Sequence, residues 1–144
     1  IDGLKFSIPI CFEDTFGYIG RRFVNNGARA FVNMSNDSWA RSRACQLQHL
    51  SMAVFRSVEN RVPTVRATAS GETVFIDPNG RITASIAPFE ENYLVSTIPL
   101  ITDYKPTIYT RFGDYAGVLF TIFAFVLLIF GGIRQIYKNQ KKGK

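Results

Sequence analysis

The stretch from Tyr115 to Ile133, YAGVLFTIFAFVLLIFGGI, runs 19 residues without a charge. No other feature restricts the chain so strongly. A helix of this length is about 28 Å long, close to the roughly 30 Å hydrocarbon core of a bilayer. Its apolar residues surround the axis and leave no polar face, which argues against a helix lying flat on a membrane surface. Arg134, Lys138, Lys141, Lys142 and Lys144 follow at once, with no acid among residues 134–144. The positive-inside bias then puts this tail in the cytoplasm and residues 1–114 on the other side. Tyr109, Phe112, Tyr115 and Tyr137 flank the span as interfacial aromatics do.

That tail also explains the net charge of +6. Residues 1–133 hold 12 Lys and Arg against 11 Asp and Glu, a sum of +1. The basic face expected of a nucleic-acid binder is therefore missing from the part that should fold, and no nucleic-acid partner is expected. The chain has 144 residues, 2 Cys and 1 His. It is long enough for one domain, and too poor in Cys and His for a disulfide scaffold or a zinc cluster. No metal or cofactor is expected.

Before the span, short apolar runs alternate with helical patterns. Phe6–Cys11 reads as a buried strand, although Pro9 counts against a regular central one. Asp14 or Thr15 then caps a helix carrying Phe16, Ile19 and Phe23, which Gly27 stops. Ala30–Met34 is a second strand. A long helix is predicted over 42–60, with Leu47, Leu50, Val54 and Val58 on one face and Pro63 beyond its end. Thr64–Ala67 is a third strand. Thr73–Ile76 and Arg81–Ile86 flank Asp77-Pro78-Asn79-Gly80, a hairpin signal. Tyr93–Ile98 is a last strand, and residues 99–114 a connector.

The pattern implies an α/β layered domain followed by one transmembrane helix. The expected divisions are a domain over 1–98, the connector 99–114, the span 115–133 and the tail 134–144. So few helices leave one sheet face hard to cover, and further material is expected upstream.

Chemistry is expected at Cys11. A residue where a strand gives way to a helix is exposed, and a helix N-terminus favours a thiolate; a buried Cys acting as a small hydrophobe is the other reading. Glu13 lies too close to activate the thiol and suits a hydrogen bond to substrate or a cap at the helix start. Cys45 falls within the long helix and reads as a packing residue, with a bridge to Cys11 as the alternative in an oxidising compartment. His49 has no partner at motif spacing. Asn36, Asp37 and Trp39 lie in a loop after a buried strand, where α/β sheets bind ligands.

Several segments together resemble a known family. IPICFED (8–14), GARAFVNMSNDSWA (27–40), QLQHLSMAVFRSVENRVPTVRATASG (46–71), FIDPNGRI (75–82) and YTRFGDY (109–115) are similar to apolipoprotein N-acyltransferases. These carry a nitrilase-type carbon–nitrogen hydrolase domain beside a bundle of transmembrane helices, with one helix after it. The resemblance implies a partial nitrilase-like domain, an enzyme of the bacterial plasma membrane with residues 1–114 periplasmic, and a Glu–Lys–Cys triad. Cys11 matches the nucleophile, the Phe12 N–H an oxyanion donor, and Glu13 a further acidic site residue. Asn36, Trp39 and His49 are expected at the substrate. The base Glu and the Lys should lie upstream of Cys11, where Lys5 is the only Lys and stands too near on the same segment. The chain is thus expected to be a C-terminal piece, inactive alone. The implied reaction moves a fatty acyl chain from a membrane phospholipid, through a Cys11 thioester, to the N-terminal amine of a lipid-modified apolipoprotein. A membrane-tethered amidase and a non-catalytic anchored remnant are the rival readings.

Overall fold

The computed structural model describes residues 3–99 and 101–142. The chain divides into two compact units, Ile1–Gly113 and Asp114–Lys144.

The first unit is built on a four-stranded sheet in the order β1 (Phe31–Asn36), β2 (Thr64–Ala69), β3 (Thr73–Ile76), β4 (Ile82–Ile86). β1 and β2 are parallel, joined by the helix α2 (Arg43–Asn60). The other pairs are antiparallel. The β3–β4 hairpin forms where Asp77-Pro78-Asn79-Gly80 predicted it. The Asp77 carboxylate accepts from the N–H of Asn79 at 2.8 Å and of Arg81 at 2.9 Å, and Gly80 takes the positive φ of +84° the turn requires.

The first expected strand survives only in part. Ser7 and Ile10 make isolated parallel bridges to Phe31 and Met34. Pro9 between them has no N–H to donate, so a continuous ladder cannot form. Tyr93–Ile98 is not a strand. A period-two pattern selects faces but supplies no partner, and among the described residues nothing pairs with this segment; Tyr93 and Val95 stand 85% and 84% exposed. The expected connector holds a short helix, α3 (Ile108–Phe112). Thr107 caps it by accepting from the Thr110 N–H at 2.9 Å, and Arg21 donates to the carbonyls of Thr110 and Arg111 at 3.0 and 2.8 Å.

One sheet face is covered by α1 (Gly17–Asn25) and α2. The apolar core there is split into two clusters, Leu50-Ala53-Val74-Ile76 and Val24-Phe31-Val62. Between them the interior is polar. α2 buries Gln46, His49, Arg56, Ser57 and Asn60 beside Leu50 and Ala53, while Leu47 is exposed. Of the expected stripe, Leu50 is buried and Val54 packs against its cluster; Val54 and Val58 also abut the hairpin turn, where a Cβ on Gly80 would lie 2.5 Å from Val58 and 3.1 Å from Val54. The opposite sheet face carries exposed Met34, with Phe6, Ile8 and Ile10 exposed on the neighbouring segment.

The second unit is the helix α4 (Tyr115–Lys142). Its segment Tyr115–Gln135, with mean hydropathy 2.6, is long and apolar enough to cross a membrane. The Thr121 hydroxyl donates to the Gly117 carbonyl at 2.8 Å, so this polar group is satisfied within the helix. Lys144 and the side chains of Tyr137, Lys141 and Lys142 lie outside the described residues.

Candidate active site

The segments 5–10, β1 and β2 run parallel, and their C-terminal ends converge on one region, where open α/β sheets place ligands. Cys11 leaves the bridge at Ile10 and opens a 3-10 turn, Cys11–Thr15. Its φ is +50°, a left-handed conformation rare outside Gly and enriched at functional sites. Glu13 holds the turn from both sides: its N–H donates to the Ile10 carbonyl at 3.1 Å, and its carboxylate accepts the Ile10 N–H at 2.8 Å. Of the two sequence readings, Glu13 here takes that of the capping acid. The Asn33 side-chain amide donates to the carbonyls of Pro9 and Cys11, both at 3.2 Å, and ties the turn to β1. Asp14 and Thr15 do not cap α1. Its N-cap is Phe16, the Thr15 hydroxyl bonds back to the Phe12 carbonyl, and Asp14 turns inward.

The Cys11 thiol is half-buried, and donors surround it. The Ser35 hydroxyl lies 3.6 Å from Sγ, and the backbone N–H groups of Asn36 and Phe12 lower the thiol pKa too. These donors, Ser35 foremost, outweigh burial and hold the thiol pKa below its ordinary value, with the charge on His49 adding to the effect. The Asn36 side chain accepts from the Ser38 N–H at 3.0 Å.

Behind the sulfur sits a buried charged cluster. His49 Nε2 lies 2.9 Å from Asp14 Oδ1, and Nδ1 lies 3.0 Å from Asp37 Oδ1. Arg66, fully buried on β2, reaches Asp37 Oδ2 at 3.2 Å, Asn33 Oδ1 at 3.2 Å and Asp14 Oδ2 at 3.6 Å; its Nη2 is 2.9 Å from His49 Nδ1. Burial opposes charging of His49, and Arg66 opposes it too. The hydrogen bond and charge of Asp14, with Asp37, prevail and raise the His49 pKa above 6.5. An imidazolium brings the four side chains to electrical neutrality, which a buried cluster needs.

Sequence spacing gave His49 no partner, yet the fold supplies two carboxylates. With both ring nitrogens occupied and the ring buried, His49 does not face a ligand with a free nitrogen. Folding raises its pKa, so the associated stability is complete below pH 6.5 and is lost as pH rises through the folded value. The unfolding midpoint should therefore fall as the pH is raised above 6.5, and thermal melts of His49→Gln should lack that part of the fall.

Gly71 is required beside this cluster. A Cβ there would lie 2.5 Å from both Asp37 Oδ2 and Thr68 Cγ2. Gly71→Ala should cost about 1–3 kcal/mol by denaturant unfolding, because Asp37 is pinned and cannot yield.

Beside the turn lies an open cleft of about 210 Å³ lined by Phe12, Trp39, Cys45, His49 and Met52. The Trp39 indole is 60% exposed. Both Cys are free thiols, so no bridge consumes Cys11. Cys45 is half-buried near the start of α2 without such donors, and Cys45→Ala should leave turnover unchanged within about twofold in a kinetic assay.

The family model for carbon–nitrogen hydrolases matches residues 1–105. The chain belongs to the carbon–nitrogen hydrolase family. Within it, the chain is 51% identical over 141 residues to apolipoprotein N-acyltransferase 1 of Treponema pallidum (strain Nichols), covering 98% of this chain and 26% of that relative. It is 47% identical over 140 residues to apolipoprotein N-acyltransferase 1 of Treponema denticola, covering 97% and 26%. The chain thus spans about a quarter of the length of these curated relatives. A carbon–nitrogen hydrolase from Helicobacter pylori G27 shares the fold, with a TM-score of 0.52 at 15% identity over 61% of this chain and 41% of that one.

Of the residues expected at a site, Cys11, Phe12 and Glu13 share one turn, Trp39 and His49 line the same cleft as Phe12, and the Asn36 side chain is engaged by the Ser38 N–H. Ser35, Asp14 and Arg66 carried no expectation of chemistry, and Asp37 only that of a loop residue at a strand end. Arg66 had a local signal, since a charge at an inward-facing strand position must find a partner.

Proposed function

We propose that this chain supplies the nucleophile of an apolipoprotein N-acyltransferase. The observation that carries the reading is the Ser35 hydroxyl 3.6 Å from the sulfur of a strained, half-buried Cys11, whose pKa that donor and the Asn36 and Phe12 N–H groups lower. Those donors favour thiolate, the reactive form of the group.

A carboxylate base takes the thiol proton. The thiolate attacks the ester carbonyl of a membrane phospholipid and pushes its electrons onto oxygen. The Phe12 N–H, adjacent to the sulfur, helps hold that oxyanion; losing one such donor costs about 3 kcal/mol. Collapse expels a lysophospholipid alkoxide, which recovers the proton, and leaves an acyl thioester on Cys11. The amine of the lipid-modified N-terminal Cys of an apolipoprotein then attacks, loses a proton to the base and expels the thiolate. The amide product and free Cys11 result. The base Glu and the Lys cation of the family triad have no match here and come from upstream sequence, of which this chain is the C-terminal continuation. Trp39 and Phe12 offer the apolar wall of the cleft to substrate, Glu13 holds the turn, and His49 acts from behind it.

The divisions follow from this reading: catalytic portion 1–98, connector 99–114, span 115–133, tail 134–144. The span keeps the site near the lipid donor in the bacterial plasma membrane, periplasmic side, with the basic tail in the cytoplasm. A phospholipid carrying a labelled acyl chain, given with an acceptor lipopeptide to membranes containing the complete protein, should place the label in an amide. Label released only as free fatty acid would point to a hydrolase instead.

A further inference from the structure

The hydroxyl of Ser35 has one proton and two acceptors. Asp37 Oδ1 lies 2.8 Å away and Cys11 Sγ 3.6 Å, within the longer range of a hydrogen bond to sulfur. The same oxygen of Asp37 is the one that His49 Nδ1 approaches at 3.0 Å. Two donors therefore share Asp37 Oδ1. We propose that Ser35 is the side-chain donor to the Cys11 thiolate, and that the Asp37–His49 pair acts as a positioning device deciding whether Ser35 gives its proton to sulfur or to Asp37.

When His49 carries both ring protons, Nδ1–H satisfies Asp37 Oδ1 and Nε2–H satisfies Asp14. Ser35 is then free to turn to the sulfur. When His49 loses the Nδ1 proton, Asp37 Oδ1 keeps only Ser35 as a donor from this pair and draws the hydroxyl away. The charged and titratable groups facing His49 are Asp14 and Cys11 from the turn, Asp37 from the loop after β1, and Arg66 from β2. Arg66 Nη2 lies 3.2 Å from Asp37 Oδ2 and 2.9 Å from His49 Nδ1, so it does not reach Oδ1 but can donate to Nδ1 once that nitrogen has lost its proton. The imidazolium charge also favours thiolate directly, so both effects have the same sign. By linkage, a thiolate at Cys11 in turn favours the protonated His49.

The inference rests on Cys11 as the working thiol, but its test reads the thiol and not the acyl transfer. The rate of Cys11 alkylation by iodoacetamide, measured against pH on the full chain in detergent, gives the midpoint of thiolate formation. Ser35→Ala should raise that midpoint by roughly one pH unit, a roughly tenfold loss of thiolate below it. Ser35→Thr, which keeps the hydroxyl, should restore most of the shift. His49→Gln should raise the midpoint too, and in the double variant the two effects should overlap instead of adding. A midpoint unmoved by Ser35→Ala overturns the proposal, as does full additivity with His49→Gln. Should His49→Gln fail to fold, the Ala and Thr variants of Ser35 decide the matter alone. An unmoved midpoint together with normal acylation of Cys11 rejects the switch and keeps the acyltransferase; shifted midpoints without any acylation do the reverse.

Discussion

Cys11→Ser should abolish N-acylation of lipoproteins by the complete protein while leaving it folded and in the membrane. The substitution keeps a small polar atom at the half-buried site, able to accept from the same Ser35 hydroxyl and the same N–H groups. The loss is therefore chemical. A serine hydroxyl titrates far above a thiol whose donors have already lowered it, and an oxygen nucleophile forms an ester that an amine attacks less readily than a thioester. A fall on the order of 10³ or more in kcat/KM is expected, read as amide formation on an acceptor lipopeptide. Unfolding of the variant should stay within about 1 kcal/mol of the parent. Residual turnover near the parent level would move the nucleophile elsewhere, with Cys45 the other thiol to examine.

Arg66→Met should be the most destabilising single change in the first unit. Arg66 is fully buried and, among the described residues, is the only guanidinium paired with Asp14 and Asp37. Its loss leaves two buried carboxylates against one imidazolium. Removing one partner of such a cluster costs about 3–5 kcal/mol, a large share of the 5–15 kcal/mol that holds a domain together. It also frees Asn33 Oδ1, whose amide end ties the Cys11 turn to β1, so the site should loosen with the fold. Melts followed by circular dichroism in detergent should show the midpoint drop by tens of degrees. A loss below about 1 kcal/mol would mean that the carboxylates are solvated or protonated, and that the cluster does not act as one unit.

Local features were legible in the sequence where local physics decides them. The span needs only length and hydropathy. The Asp-Pro-Asn-Gly turn sets its own backbone, and α2 starts after Ser42 and ends before Pro63 as its pattern predicts. The corner at Cys11, where the bridge at Ile10 gives way to a turn, also lies within one short segment. What depended on distant partners was not legible. Pairing for Tyr93–Ile98 cannot be read from alternation alone. On α2 the apolar positions Leu50 and Val54 were legible, but the polar interior side was not, because a polar side looks like a solvent face until its partners are known. The partners of His49 stand 35, 12 and 17 residues away, on three other elements.

The most direct test is mass spectrometry of the intact, complete protein after exposure to phospholipid in the absence of an acceptor. A fatty acyl adduct mapped to Cys11, cleaved by hydroxylamine and discharged on adding an acceptor lipopeptide, is the expected result. An unmodified Cys11 alongside continued lipoprotein acylation would contradict it, for acyl transfer would then proceed without this sulfur.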